Sequence, residues 1–229
     1  MSNEKIFEAS AEAKGQAKQL RLFALLSWVV AMAGQVYAIL KLIHNETMMW
    51  LIAAIVGILI LAITGSWLWK KANRLDPASE KDTTRFFIQN QLGAILGVLA
   101  FLPMVVVIFT NKELSGKTKG IAGSIAVIAM LIAGITGVDF NPPSIEKYTK
   151  EINAQTDVLK DLNVADNVYW TPEGNKYHLS ADCQHIRGHE GMSNGTVKES
   201  WEKKGISELC KTCQAKAIKE KEKLVPVQQ

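Results

Sequence analysis

Apolar residues gather along this chain into four long runs, at 20–43, 47–69, 86–110 and 121–138, with only short polar links between them. Each run is about as long as the ~20 helical residues that cross a hydrocarbon layer of ~30 Å. None carries Asp, Glu, Lys or Arg near its centre. The pattern predicts an all-α four-helix transmembrane bundle over residues 21–138. The link His44-Asn45-Glu46 is so short that the first two spans must form an antiparallel hairpin. Pro77, following Asp76, stops the second span, Pro103 predicts a kink in the third, and Asn141-Pro142-Pro143 closes the fourth.

Small residues recur at four-residue spacing in every span: Gly34 and Ala38, Ala53 and Gly57, Gly93 and Gly97, and Ala129, Ala133 and Gly137. Such faces let backbones approach in lipid, which serves packing within one bundle and homo-oligomerisation alike. The polar residues Gln35, Gln89, Asn90 and Gln91 are read first as interhelical hydrogen-bonding groups; lining a path through an oligomer is the alternative. Trp50, Trp67 and Trp69 are expected at the membrane interface and Trp28 deeper.

Beyond Pro143 the pattern changes. Ser144 is a good N-cap for a helix over IEKYTKEINAQTDVLKDL. Ile145, Ile152 and Leu159 recur there at seven residues, which suits an amphipathic linker packed on a neighbour, or a short oligomeric stalk. Period-two segments at 167–171 and 176–179, separated by Pro172-Glu173-Gly174-Asn175, predict a hairpin. A helix over 196–204 ended by Gly205, and another starting near Cys210, complete a small α+β terminal region. The chain thus divides into a cytoplasmic N-terminal segment (1–20), the bundle (21–138), a helical linker (139–166) and a zinc-binding module with a helical tail (167–229).

Charge refines this picture. Residues 139–229 contain 13 Lys and Arg against 14 Asp and Glu, so the formal +4 of the chain comes from its apolar half. A nucleic-acid reader concentrates positive charge on its binding domain, and this tail does not, so nucleic acid is not an expected partner. The lysines at 211, 216, 219, 221 and 223 alternate with Glu220 and Glu222 as on a solvated helix. The N-terminus lacks the basic region and short apolar core of a cleavable signal. The N-terminal segment, the 70–85 loop and the start of the tail together hold eleven Lys and Arg, against four at Lys41, Lys112, Lys117 and Lys119. That bias predicts a multi-pass cell-membrane protein with both termini cytoplasmic.

All three cysteines lie in the tail, with the spacing His178-x4-Cys183-x26-Cys210-x2-Cys213. Zinc takes four tetrahedral N/S ligands, and a Cys-x2-Cys knuckle supplies two thiolates. The set His178, Cys183, Cys210 and Cys213 leaves no open position, so a structural ion is expected, with folding coupled to its binding. His185 or His189 could replace His178 as the fourth ligand; the hairpin favours His178. A disulfide would leave one cysteine over, and no thioredoxin-like βαβ pattern surrounds the knuckle.

The run Val168-Tyr169-Trp170-Thr171, then Gly174, Tyr177-His178, Cys183, Gly195-Thr196-Val197, Glu199-Ser200, Gly205 and Cys210-x2-Cys213 resembles a small zinc module of bacterial proteins. It is similar to the metal-binding domain of the Ada methylphosphotriester-repair family, over residues 167–215. The likeness implies a zinc-binding fold. In that family a zinc-bound cysteine accepts a methyl group from DNA phosphate. Here His178 stands where the family has its first cysteine, and Glu208-Leu209 replaces an aromatic-Arg-Pro run, so that activity does not carry over. The spans resemble those of uncharacterised Gram-positive membrane proteins bearing the same module.

No Ser/His/Asp constellation accompanies the cysteines, so the expected function is non-enzymatic. The reading is a bilayer-embedded, homo-oligomeric sensor, effector or assembly protein whose zinc module meets a cytoplasmic protein or small ligand. An oligomeric pore gated by the tail and a zinc-thiolate alkyl acceptor are the alternatives.

Overall fold

The computed structural model describes residues 6–224, which fold as two compact units. The helical unit comprises 15–74 and 81–142. The α+β unit gathers three separate segments, 6–14, 75–80 and 143–224. Chain order and spatial grouping are therefore interleaved: the polar N-terminal segment and part of the second loop join the terminal region.

The helical unit is built from α1 (Ala11–Lys41), α2 (Met48–Leu75), α3 (Thr83–Leu99), α4 (Leu102–Thr110) and α5 (Gly116–Gly137). Taking α3 and α4 as one broken helix, four helices are long and apolar enough to cross a membrane. The break lies where Pro103 removes a backbone N–H, and Phe101 turns to bond the carbonyl of Val98 at 3.0 Å. Asn45, in the α1–α2 link, joins the loop before α5 by bonding Glu113 O, Ser115 N and the Thr118 hydroxyl.

The inner face of this unit is lined by Ala31, Ile55, Ile58, Phe101, Met104, Ile108 and Ala126. Leu22, Phe23, Val29, Ile60, Ile128 and Ile135 instead face outward and exposed. A surface so apolar has no aqueous rationale. The small-residue faces of the third and fourth runs meet each other. A Cβ on Gly97 would lie 2.8 Å from the carbonyl oxygen of Ala133, and one on Gly93 3.0 Å from that of Gly137. These glycines serve packing inside the unit, whereas Ala53 and Gly57 are exposed.

Gln89 and Asn90 are buried, and the Gln89 carbonyl accepts the indole N–H of Trp69 and the amide of Asn73, each at 2.7 Å. The Trp69 ring lies tilted at 45° to that of buried Trp28, with centroids 5.6 Å apart. Trp50 and Trp67 are exposed. Lys70 donates to the carbonyls of Thr136 and Val138, satisfying the open C-terminal end of α5.

In the α+β unit, Ser144 caps α6 (Ile145–Asp161) through the Lys147 N–H. Then come β1 (Val168–Trp170), β2 (Lys176–Tyr177), β3 (Ser193–Gly195), α7 (Val197–Lys204), β4 (Glu208–Leu209) and α8 (Lys211–Leu224). β1 pairs antiparallel with β3, and β2 parallel with β4. The expected hairpin survives only as the single bridge Tyr169–His178, with both backbone bonds at 2.8 Å. Two-residue strands cannot hold themselves, and each rests on the core of Leu159, Val168, Trp170, Tyr177, Ile186 and Ile206.

The heptad positions of α6 do not form a stalk seam. Ile152 is buried with Phe7, Ala13 and Trp201, and Leu159 enters the core around the cysteines. The N-terminal segment straps this surface: Phe7 N–H bonds the Thr149 hydroxyl at 2.9 Å, and Phe7 meets Tyr148 edge-on at 5.0 Å.

Candidate metal centre

Short-range backbone bonds aim each side chain of the site. The Tyr169–His178 bridge fixes His178 at the end of the hairpin. Cys183 follows a turn closed by its own N–H on Ser180 O, and its carbonyl accepts the N–H groups of Ile186 and Arg187. β4 lies beside β2, so the Cys210 N–H bonds Tyr177 O at 2.9 Å and Cys210 arrives next to His178. Gln214 N–H then bonds Cys210 O at 3.0 Å, starting the helix that carries Cys213 back to the same point.

The four residues converge. The ligand atoms of His178, Cys183, Cys210 and Cys213 all lie within 4.8 Å of one another, and all four residues are buried. His178 Nδ1 is 3.2 Å from Cys183 Sγ and 3.9 Å from Cys213 Sγ. A tetrahedral ion with sulfur at about 2.3 Å and nitrogen at about 2.0 Å spaces its ligand atoms about 3.5–3.8 Å apart. The cluster has that scale, and all three cysteines are free of disulfides.

The electrostatics fit a thiolate-bound cation. Burial, and then the neighbouring His185, hold His178 below the usual imidazole value, so it stands neutral and able to donate a lone pair. Burial and the adjacent Cys183 push the Cys213 thiol up to about 12. At Cys210 burial also raises the thiol, but the N–H groups of Cys213 and Thr212 outweigh it and leave the sulfur below its ordinary value. Thiolates crowded this closely repel one another, and a bound divalent cation would remove that conflict.

The other two tail histidines stand outside the group. His185 is exposed, with Nε2 3.0 Å from the Thr212 hydroxyl and its ring 6.3 Å from that of His178. His189 is exposed on the connecting loop. Sequence reasoning did not foresee the His185–Thr212 contact, nor the Lys176–Glu208 pair at 2.5 Å that flanks the site. The Lys176–Glu208 pair sits on the β2–β4 register, for which two residues carry no periodic signal. No family model, curated protein or solved structure matches this chain.

Proposed function

We propose that this chain is a four-span integral membrane protein. Its cytoplasmic α+β unit is organised by one structural zinc ion on His178, Cys183, Cys210 and Cys213 and serves recognition, not catalysis. The observation that carries the reading is the convergence of four buried donors from three separate backbone elements. A set of three thiolates and a histidine favours zinc over the hard cations that prefer oxygen. All four positions are filled by side chains, so the ion would fasten the hairpin, the 183–187 turn and α8 to one another.

Membrane insertion is supported by the apolar outer surface of the helical unit and by helix length. The excess of Lys and Arg on the N-terminal segment, the 70–85 loop and the tail supports a cytoplasmic location for both ends. Segments from the N-terminus and the tail also share one unit, as two ends on one side of a bilayer require. Self-association belongs to the exposed Ala53–Gly57 face of α2, because the glycines of α3 are used internally. The likeness to the Ada metal-binding domain supports the zinc assignment and implies no methyl transfer.

Two measurements on protein extracted from membranes test the reading. Elemental analysis is expected to give one zinc per chain, lost in Cys210→Ser. Impermeant thiol or lysine reagents applied to sealed right-side-out vesicles should spare the tail. Protein that purifies without detergent, or that binds no metal while folded, contradicts it.

A further inference from the structure

Beside the four converging donors lies a cleft of about 350 Å³, between the 171–175 turn and the first turn of α8. That is within the size range of small-molecule sites. Its floor consists of buried groups: Thr171, Ile186 and two of the metal-site residues, His178 and Cys210. Its rim is polar and exposed or partly exposed: Asn175, Lys176, His185, Lys211 and Thr212. Every one of these rim side chains can donate a hydrogen bond, and no Asp or Glu is among the lining residues.

The rim charges are not equivalent. Lys176 is held by Glu208, whose carboxylate neutralises it from outside the cleft. Lys211 has no ion pair like the one that holds Lys176, although Glu208 also feels its charge, so Lys211 is the less neutralised of the two cations at the mouth. His185 and Thr212 are locked to each other at 3.0 Å, which fixes a polar edge beside it. The opposite wall is a tight turn. Gly174 N–H bonds Thr171 O, and a Cβ at Gly174 would lie 2.7 Å from the Thr171 hydroxyl.

We infer that this cleft binds a small organic anion, with its apolar body on Ile186 and its carboxylate or phosphate head at Lys211 and Asn175. The inference rests on the metal reading, because His178 and Cys210 form the floor and bring the ligand against the coordination sphere. It gives the recognition role a substrate class, and makes the metal centre the sensor of occupancy.

The coupling supplies the test. The full-length protein in nanodiscs is loaded with Co²⁺, whose thiolate charge-transfer and ligand-field absorption reports the sphere directly. Benzoate and phenyl phosphate are titrated as probes of the two head groups, with benzamidine and benzyl alcohol as the cationic and neutral counterparts. A saturable spectral change with either anion, weakened at least tenfold by Lys211→Glu and absent with the counterparts, is expected. Lys211 is exposed, so unchanged cobalt spectra in the ligand-free variant will show that its fold and site are intact. Normal cobalt spectra that respond to none of the probes, or to all four alike, overturn the anion site. Absence of thiolate–cobalt absorption overturns the metal reading itself, and this inference with it.

Discussion

Gly137→Ala places one methyl group where the helical unit has no room for it. The new Cβ would lie 2.4 Å from Ala94 N, and 2.5 Å from both Ala94 Cα and Gly93 C. All three are backbone atoms of α3, so no side-chain rotation relieves the clash, and α3 and α5 must separate by about 1 Å to restore ordinary contact. Overpacking of this kind costs about 1–3 kcal/mol. Gly120→Ala is the internal control: its Cβ meets nothing within 4 Å, at an exposed position of the same helix α5. It gains up to about 1 kcal/mol of helix propensity. The two chemically identical changes should therefore differ by roughly 1–4 kcal/mol in opposite directions from wild type. Reversible unfolding in mixed micelles, followed by tryptophan fluorescence, measures both. Equal stabilities for the two variants would refute the α3–α5 contact and the assignment of these glycines to packing within one chain.

Further outcomes follow for the α+β unit. Thr196→Ala should destabilise it by about 1 kcal/mol in a urea melt, because Thr196 and Glu199 form a reciprocal capping box on α7. Cys213→Ser and chelation should each loosen the fold around Trp170 and leave the helical unit's far-UV signal largely intact, as circular dichroism and proteolysis will show. In metal-free protein, Cys213 keeps its proton to about pH 12, whereas an unfolded chain releases it near the ordinary 9.0. The folded state then binds more protons than the unfolded one, so metal-free stability should fall as pH rises from 9.0 toward 12. Tyr177, raised by burial and by Asp166, acts in the same direction. The metal-loaded protein, whose sulfur has already given up its proton, should not lose stability by this route.

The helices were legible because apolar runs of that length admit few alternatives. Their ends were less so: α1 begins at Ala11, since Ala, Glu, Lys and Gln carry helix readily although they carry no apolar signal. The boundaries of α7 could be read closely, from Thr196 at its start to Gly205, which takes the left-handed conformation at φ 68°. The clustering of His178, Cys183, Cys210 and Cys213 matches the spacing that singled them out, and His185 and His189 lie outside the cluster. Strand pairing was not legible. β3 is Ser-Asn-Gly and β4 is Glu-Leu, and such segments become strands only because β1 and β2 offer them an edge. The strap at Phe7 escaped for the same reason: its partners Tyr148, Thr149 and Trp201 lie far along the chain. The α6 heptad was real as a pattern, but its apolar positions meet Phe7, Trp201 and Val168 within one chain rather than a second copy.

X-ray absorption at the zinc edge, on protein purified from membranes without added metal, reads the ligand set of the converging cysteines and histidine. Zinc held by His178, Cys183, Cys210 and Cys213 should give a four-coordinate shell of three sulfurs at about 2.3 Å and one nitrogen at about 2.0 Å. A shell of oxygens, a two-sulfur site, or folded protein carrying no bound metal would contradict it.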